Sequence, residues 1–342
     1  MDLFRRRLLR RNRKSKGWLI GKPASIDDLT WGEVPDPRAG EGQLVVKVMS
    51  TALNPVDYQL IESGNPNWVY PHITGVDLAG EVVEVGPDIS GFQTGDRIAC
   101  HTDLNRKGAF AQFAAIDANA AAKIPDGVSY DEAAAVLCAG MTAYQAVVQK
   151  LNHSDKQTIL IHAGAGGVGG FAIQLAKELG LKVFTTASAA NHEWVKSLGA
   201  DTAIDYHTED VTKRIREETD GEGVELILNT ISSAEATEDL KRLAFSGQLA
   251  YIAGAPDLSG IKPFTLTPSI HEVALGAAHA SGSVRAKQNL AYMANELMQR
   301  VKKGTLNPMV NQVLPREKLP AGLKTLKGRH VRGKIIVRMH EA

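Results

Sequence analysis

From residue 17 to about residue 137, short apolar runs alternate with polar positions and are broken by Gly, Pro or Asp, as in "QLVVKVMST", "LAGEVVEVG" and "GDRIACHT". Alternation at hairpin-like spacing predicts an antiparallel, barrel-like β domain. At "YDEAAAVLCAGMTAYQAVVQ" (130–149) the period changes to an Ala-rich apolar stretch that suits one or two buried helices at a domain junction. Residues 157–279 then alternate strand and helix. The predicted strands are "TILIHAG", "LKVFTTAS", "TAIDY", "VELILNTI", "GQLAYIAG" and "EVALGAAH". Near-continuous apolar strands joined by helical crossovers indicate a parallel, doubly wound sheet. The helical stretches "FAIQLAKELG" and "NHEWVKSLGA" each end on a glycine near the C-cap. A long helix, "KQNLAYMANELMQRVKKG", and a strand, "GKIIVRMH", close the pattern, and the strand is expected to return to the first domain. The fold class is therefore α/β: a β-barrel domain (17–137 and 281–342) plus a doubly wound domain (138–280).

The chain has 342 residues, enough for two domains with a large core. Hydrophobic content of 44% and charged content of 23% are ordinary for a soluble globular protein, and no apolar run is long enough to span a membrane. Cys100 and Cys138 are the only cysteines and form no CxxC pair, which argues against a zinc ribbon or redox dithiol and for a reducing, cytoplasmic location. Cys100 and His101 would face opposite sides of a strand, so they read as a strand-end pair and not as a metal site. Charge is uneven. Residues 1–16 hold eight Lys/Arg and one Asp, a net of +7, which leaves the remainder at −6 against +1 overall. Such a block suits RNA, anionic lipid or a protein partner. One serine and a weak apolar stripe do not make a transit peptide. The favoured reading is a solvated, disordered extension ahead of a folded pattern that begins at "GWLIGKP".

"TILIHAGAGGVGGFAIQLAKELG" carries the clearest chemistry. Gly164, Gly166 and Gly169 have GxGxxG spacing, after a strand and at the opening of a helix, which is the context the motif requires. Gly164 is expected to make the tight turn, Gly166 to admit a pyrophosphate close to the backbone, and Gly169 to pack the helix on the strand. The helix N-terminus then offers free N–H groups and positive dipole to the phosphates. The second strand ends "TTASAANHE", with Ser188 and Asn191 where an NAD site would carry Asp or Glu. A hydroxyl and an amide donate to a 2′-phosphate that a carboxylate would repel. Tyr206, ending the third strand, donates from beside them. The expected cofactor is NADP(H), preferred over NADH.

"STALNPVDYQ" (50–59) reads either as a loop corner around Asn54-Pro55 or as an active-site wall. "ALNPVD" (52–57), "GVDLAGEVVEVG" (75–86), "CAGMTAYQA" (138–146), "AGAGGVG" (163–169) and "GKIIV" make the choice. Together with the domain order they resemble the zinc-independent quinone oxidoreductase branch of the medium-chain dehydrogenase/reductase superfamily, over nearly the whole chain from Gly17. That resemblance implies a GroES-like catalytic domain, a Rossmann domain and a homodimer. The superfamily's zinc enzymes place a Cys ligand where this chain reads Leu53-Asn54, and Gly-His-Glu where it reads Gly75-Val76-Asp77. They often add a four-Cys lobe that this sequence lacks. No metal is expected.

The implied activity is metal-free hydride transfer from NADPH to a quinone or an α,β-unsaturated carbonyl. Matching to the family places Asn54 and Thr142 beside the nicotinamide ribose, backbone groups of Gly166, Gly167 and Val168 on the pyrophosphate, Thr230 on the adenosine side, and Ile252 and Ala253 along the nicotinamide pocket. Strand-end packing is the competing role for the last three. Tyr58 either protonates an enolate or fills the mouth of the cleft while water supplies the proton. Asp57 supports the loop, and His279 reads as a satisfied core histidine ending the last parallel strand. A zinc-free carbonyl or alcohol oxidoreductase is the alternative enzyme. The alternative from another class is an NADPH-binding protein that acts on RNA or a partner through its basic tail.

Overall fold

The computed structural model describes residues 14–329 and 331–340. Of the basic segment 1–16, for which disorder is expected, residues 1–13 lie outside the described residues, whereas Lys14, Ser15 and Lys16 belong to a strand. The chain divides into two compact units. One comprises residues 1–138, 276–303 and 310–342, and the other residues 139–275 and 304–309.

In chain order the first unit begins with β1 (Lys14–Leu19), β2 (Thr30–Pro35), β3 (Gln43–Ala52), α1 (Pro55–Ser63), β4 (Asp77–Val85), β5 (Arg97–His101), β6 (Phe113–Asp117), β7 (Ala121–Lys123) and α2 (Tyr130–Ala135). The paired pattern therefore already includes Lys14, Ser15 and Lys16 ahead of Gly17, because Lys14–Leu19 pairs antiparallel with Thr30–Pro35 along its full length. Helix α3 (Cys138–Tyr144) opens the second unit. It continues through β8 (Thr158–Ile161), α4 (Gly167–Glu178), β9 (Lys182–Thr186), α5 (His192–Ser197), β10 (Thr202–Ile204), α6 (Val211–Glu218), β11 (Val224–Asn229), α7 (Ser233–Asp239), β12 (Leu243–Tyr251) and β13 (Ser269–Glu272). The chain then returns to the first unit with α8 (Ala277–Ala280), α9 (Val284–Lys303), β14 (Val310–Pro315), α10 (Leu319–Lys327) and β15 (Lys334–Arg338).

In the first unit the alternating runs form a seven-stranded sheet, β14-β15-β3-β4-β5-β7, with β6 also on β3. The late strand β15 pairs antiparallel with β3, Ile336 opposite Ala52. This closes a GroES-like β domain around Leu44, Val46, Val48, Leu78, Ile98 and Ile336, all fully buried.

The second unit is a six-stranded sheet in the order β10-β9-β8-β11-β12-β13, parallel throughout. This is the Rossmann order, with a switch point between β8 and β11. Its inner strands β8, β9 and β11 are buried on both faces, as a sheet covered on both sides requires. Leu160, Phe184, Ile204, Ile227 and Leu249 form the core beneath α6 and α7. Helices α4 and α5 end before Gly180 (φ 80°) and Gly199 (φ 112°), left-handed positions that glycine adopts without strain. The expected strand "EVALGAAH" is corrected: pairing with β12 covers Ser269–Glu272, and Ala277–Ala280 is a helical turn. The Gly276-Ala277-Ala278 run has no branched side chain to favour a strand. His279 thus sits in α8, buried, with Nε2 3.0 Å from the His101 carbonyl.

Candidate dinucleotide site and a buried ionic cluster

The apolar strand β8 ends at Ile161, and His162, which follows it, donates its N–H to Leu228 O of β11 (3.1 Å). The chain then turns sharply. The residue in the left-handed region is Ala163 (φ 52°), so the tight turn expected of Gly164 is made one residue earlier. Gly164 is required for a different reason: a Cβ there would overlap Thr185 Oγ1 and come within 2.9 Å of Ile173 Cδ1. At Gly169 a Cβ would overlap Ala163 O and reach 2.8 Å from Gly164 Cα, so helix and loop pack backbone to backbone. At Gly166 it would meet only Ala163 O, at an ordinary 3.5 Å. Internal packing gives no reason for glycine at 166, whereas an anion resting on the backbone does. The first helical hydrogen bond of α4 runs from Gly170 N to Gly166 O (3.0 Å). The N–H groups of Gly167, Val168 and Gly169 precede it and have no intrahelical acceptor, the arrangement that binds phosphate.

Strands β9 and β10 end side by side, since Ala187 N donates to Ile204 O (3.0 Å). Asn191 Nδ2 donates to Ser188 Oγ (3.1 Å), and both residues are half-buried. Tyr206 is exposed, its ring 4.2 Å from that of His207. The nearby acid Asp205 spends its oxygens on its own turn, accepting from His207 N (3.1 Å) and Thr208 Oγ1 (3.2 Å). Thr230 Oγ1 donates to His162 O (3.2 Å) and Ile252 N to Asn229 O (3.2 Å), while Ala253 is exposed. Thr142 lies buried in α3. The structure thus gathers the glycine loop, Ser188, Asn191, Tyr206, Thr230, Ile252 and Ala253 at the carboxyl ends of β8 to β12, where open parallel sheets bind ligands.

Sequence reasoning missed a polar network beneath this edge. His162, Thr186, Asn229 and Asp239 are each buried, and His162 Nε2 lies 2.8 Å from Asp239 Oδ1. Among the described residues, His162, Glu235 and Asp239 bring ligand atoms within 4.8 Å of one another. The Arg242 guanidinium already occupies that centre, 2.7 Å from Asp239 Oδ1 and 2.5 Å from Glu235 Oε1. The readable signal was a histidine closing the apolar run "TILIH".

In the first unit "STALNPVDYQ" resolves into the end of β3 and the start of α1. Asn54 is extended (φ −133°, ψ 154°), and Pro55 takes the first helical position, where its missing N–H costs nothing. Asn54 is buried and its amide is committed. Nδ2 donates to Asp77 Oδ2 (2.7 Å) and Ala52 O (3.2 Å), and Oδ1 accepts from Lys334 Nζ (2.6 Å). Both amide hydrogens of Asn54 are thus used inside the unit, where the side chain acts as a structural anchor. Lys334 Nζ also donates to Leu53 O (3.2 Å) and lies 3.6 Å from Asp77 Oδ2. Asp77 Oδ1 accepts from Cys138 N (2.8 Å). Asp57 accepts from Asn54 N (2.8 Å) and Val76 N (3.2 Å). Burial, then the neighbouring Asp77 charge, raises Asp57 to about 8, and burial raises Asp77 as well. Tyr58, on the next position of α1, is 8% exposed and packs in the core of this unit.

A GroES-like β domain joined to a Rossmann domain with a glycine loop defines the class: a two-domain oxidoreductase. Family models agree on both halves. Residues 40–126 match the alcohol dehydrogenase GroES-like domain, and residues 167–300 match zinc-binding dehydrogenase. The chain is similar to the chloroplast envelope quinone oxidoreductase homolog of Arabidopsis thaliana, 31% identical over 317 residues, 89% of this chain and 92% of that one. It is 38% identical over 213 residues to dehydrogenase orf1 of Aspergillus niger, covering 57% of this chain and 62% of the relative's length. Among solved structures, a mycobacterial protein complexed with NADPH superposes with a TM-score of 0.82 at 26% identity, over 94% of this chain and 99% of that one. The chain belongs to the medium-chain dehydrogenase/reductase superfamily, in its quinone oxidoreductase-like branch.

Proposed function

We propose that the protein is an NADPH-dependent oxidoreductase that reduces quinones or α,β-unsaturated carbonyls without a metal. The observation that carries the cofactor reading is the ligand edge of the second unit. A helix N-terminus with three orphan N–H groups stands beside a β9 end that presents Ser188 and Asn191 and no acid, with Asp205 turned into its own loop. The NADPH held by the mycobacterial relative supports it. The bound cofactor would supply the hydride. The chain's part is to hold its pyrophosphate on Gly166, Gly167 and Val168 and its 2′-phosphate between Ser188, Asn191 and Tyr206, with Thr230, Ile252 and Ala253 along the same edge.

The first unit's donor set does not suit zinc. Leu53 offers no ligand atom, and Asn54 and Asp77 are engaged with each other and with Lys334. The Lys334 ammonium supplies the positive charge there. Without a Lewis acid, the acceptor has to be electrophilic already, which favours quinones and enones over simple alcohols. The two free cysteines support a reducing, cytoplasmic compartment. No helix among the described residues is long and apolar enough to cross a membrane. The homodimer is proposed on resemblance, with pairing through an edge of the Rossmann sheet, whose edge strands are β10 and β13.

An acceptor screen that follows NADPH oxidation tests the reading. Turnover with quinone or enone, unaffected by chelator, is the expected result. Turnover with aldehydes alone, or loss of activity on removal of one tightly held zinc, overturns it.

A further inference from the structure

Three loops at the ligand edge of the second unit depend on one buried carboxylate. Asp239 is fully buried at the end of α7. Its Oδ1 accepts from His162 Nε2 (2.8 Å) and Arg242 Nη1 (2.7 Å), and its Oδ2 accepts from Asn229 Nδ2 (2.7 Å). Arg242 is held in turn by Glu235 (2.5 Å) and Thr212 Oγ1 (2.9 Å), so the carboxylate's charge is met inside the unit. Two chains of hydrogen bonds lead outward from it. His162 Nδ1 lies 3.3 Å from Thr186 Oγ1, and Thr186 Oγ1 accepts from Ala163 N (3.0 Å). In the tautomer whose hydrogen is on Nε2, that hydrogen goes to Asp239 and Nδ1 is left as an acceptor. The Thr186 hydroxyl then donates to His162 and turns a lone pair to Ala163. On the other side Asn229, its amide hydrogen given to Asp239, presents Oδ1 to the N–H groups of Ile231 (2.9 Å) and Ser232 (3.3 Å).

We propose that Asp239, His162, Thr186 and Asn229 are positioning residues for the dinucleotide. They form a buried relay that sets the glycine loop, the end of β9 and the loop after β11 in one fixed arrangement. The proposal rests on the NADPH reading above. Ala163 shows why a relay is needed. It holds a left-handed conformation (φ 52°) that side chains rarely adopt, and its N–H is tied to Thr186 at the point where the phosphate loop begins. The same threonine ends the strand that leads to Ser188, so the phosphate loop and the 2′-phosphate loop share one support.

The test compares Thr186→Val, which keeps the shape and removes the hydroxyl, with Thr186→Ser, which keeps the hydroxyl. Amide hydrogen exchange of the cofactor-free full chain is read over residues 162–169, and NADPH affinity is read by fluorescence titration. The valine variant is expected to exchange about tenfold faster in this segment and to bind NADPH about tenfold more weakly, as loss of one buried hydrogen bond implies. The serine variant is expected to stay within about twofold on both readouts. A valine variant equal to wild type on both readouts overturns the relay, and so does a serine variant as impaired as the valine. Thr186→Ala replaces the valine if that variant does not fold. Wild-type protein that binds no NADPH overturns the cofactor reading. The exchange comparison, which uses no cofactor, then decides the relay alone.

Discussion

Replacing Lys334 by Met tests whether an internal ammonium is the counter-ion of the first unit. Lys334 is 3% exposed and Asp77 fully buried, so neither charge is solvated by water. The ammonium makes hydrogen bonds to Leu53 O and Asn54 Oδ1 and an ion pair to Asp77 at 3.6 Å. Methionine has a similar volume, so the packing loss is small, and the main effect is a carboxylate left in the core with Asn54 Nδ2 and Cys138 N as its donors among the described residues. Removing one partner of a buried pair costs about 3–5 kcal/mol. At about 2–4 °C per kcal/mol, the thermal midpoint falls on the order of 6–20 °C at pH 8. The loss carries a pH signature. Asp77 is already raised by burial, and without Lys334, a lowering influence, it rises further. The cost of keeping it ionised is present at pH 8 and shrinks as pH falls and the carboxyl takes up a proton in the folded state. The variant is therefore expected to lie closer to wild type at pH 5 than at pH 8. Adding Asp77→Asn removes the stranded charge, so the double variant is less destabilised than the two single losses together by about 1–3 kcal/mol. A loss under about 1 kcal/mol at pH 8, or the same loss at both pH values, refutes the reasoning.

Asp57, raised to about 8 by burial and by Asp77, binds its proton far more tightly folded than unfolded. Its contribution to stability is full below about pH 4 and is lost as pH rises towards about 8, by up to about 1.4 kcal/mol per unit. Urea unfolding at pH 5 and pH 8 checks this, and Asp57→Asn is expected to flatten the profile; a wild-type profile that is already flat would contradict the shift. Ser188→Asp places a carboxylate where the 2′-phosphate is proposed to sit and is expected to lower kcat/KM for NADPH relative to NADH by about tenfold to a hundredfold. An unchanged cofactor ratio would move the phosphate site elsewhere. Tyr58→Phe is expected to keep enone turnover within about threefold, because the ring is packed in the core of its unit, whereas a loss of about a hundredfold would make Tyr58 the acid.

What could be read from the chain depended on how local each interaction is. The inner Rossmann strands were legible because both of their faces are buried, so five of the six apolar runs mark strands directly, and the glycine motif was legible because its three glycines lie within six residues. "EVALGAAH" failed because small apolar residues satisfy a strand pattern and a helical turn equally. The tight turn at Ala163 failed because the motif points to its glycines, while the constraint on Gly164 comes from Thr185, on a neighbouring strand. The least legible feature was the charge cluster. Nothing in "GKIIV" says that its lysine is buried, since the groups that solvate it are Leu53, Asn54 and Asp77, more than 250 residues earlier. For the same reason Asn54 looked free to meet a cofactor, although its amide is shared between a strand that precedes and a strand that follows almost the entire chain. Yet His162, Thr186 and Asn229 left a trace. Each is a polar residue that closes or immediately follows an apolar strand of a sheet covered on both sides, where a polar group without a partner costs about 1–3 kcal/mol. Such a residue implies a buried partner. The sequence names the residue that needs the bond, and only the folded chain shows that Asp239 and Arg242 provide for it.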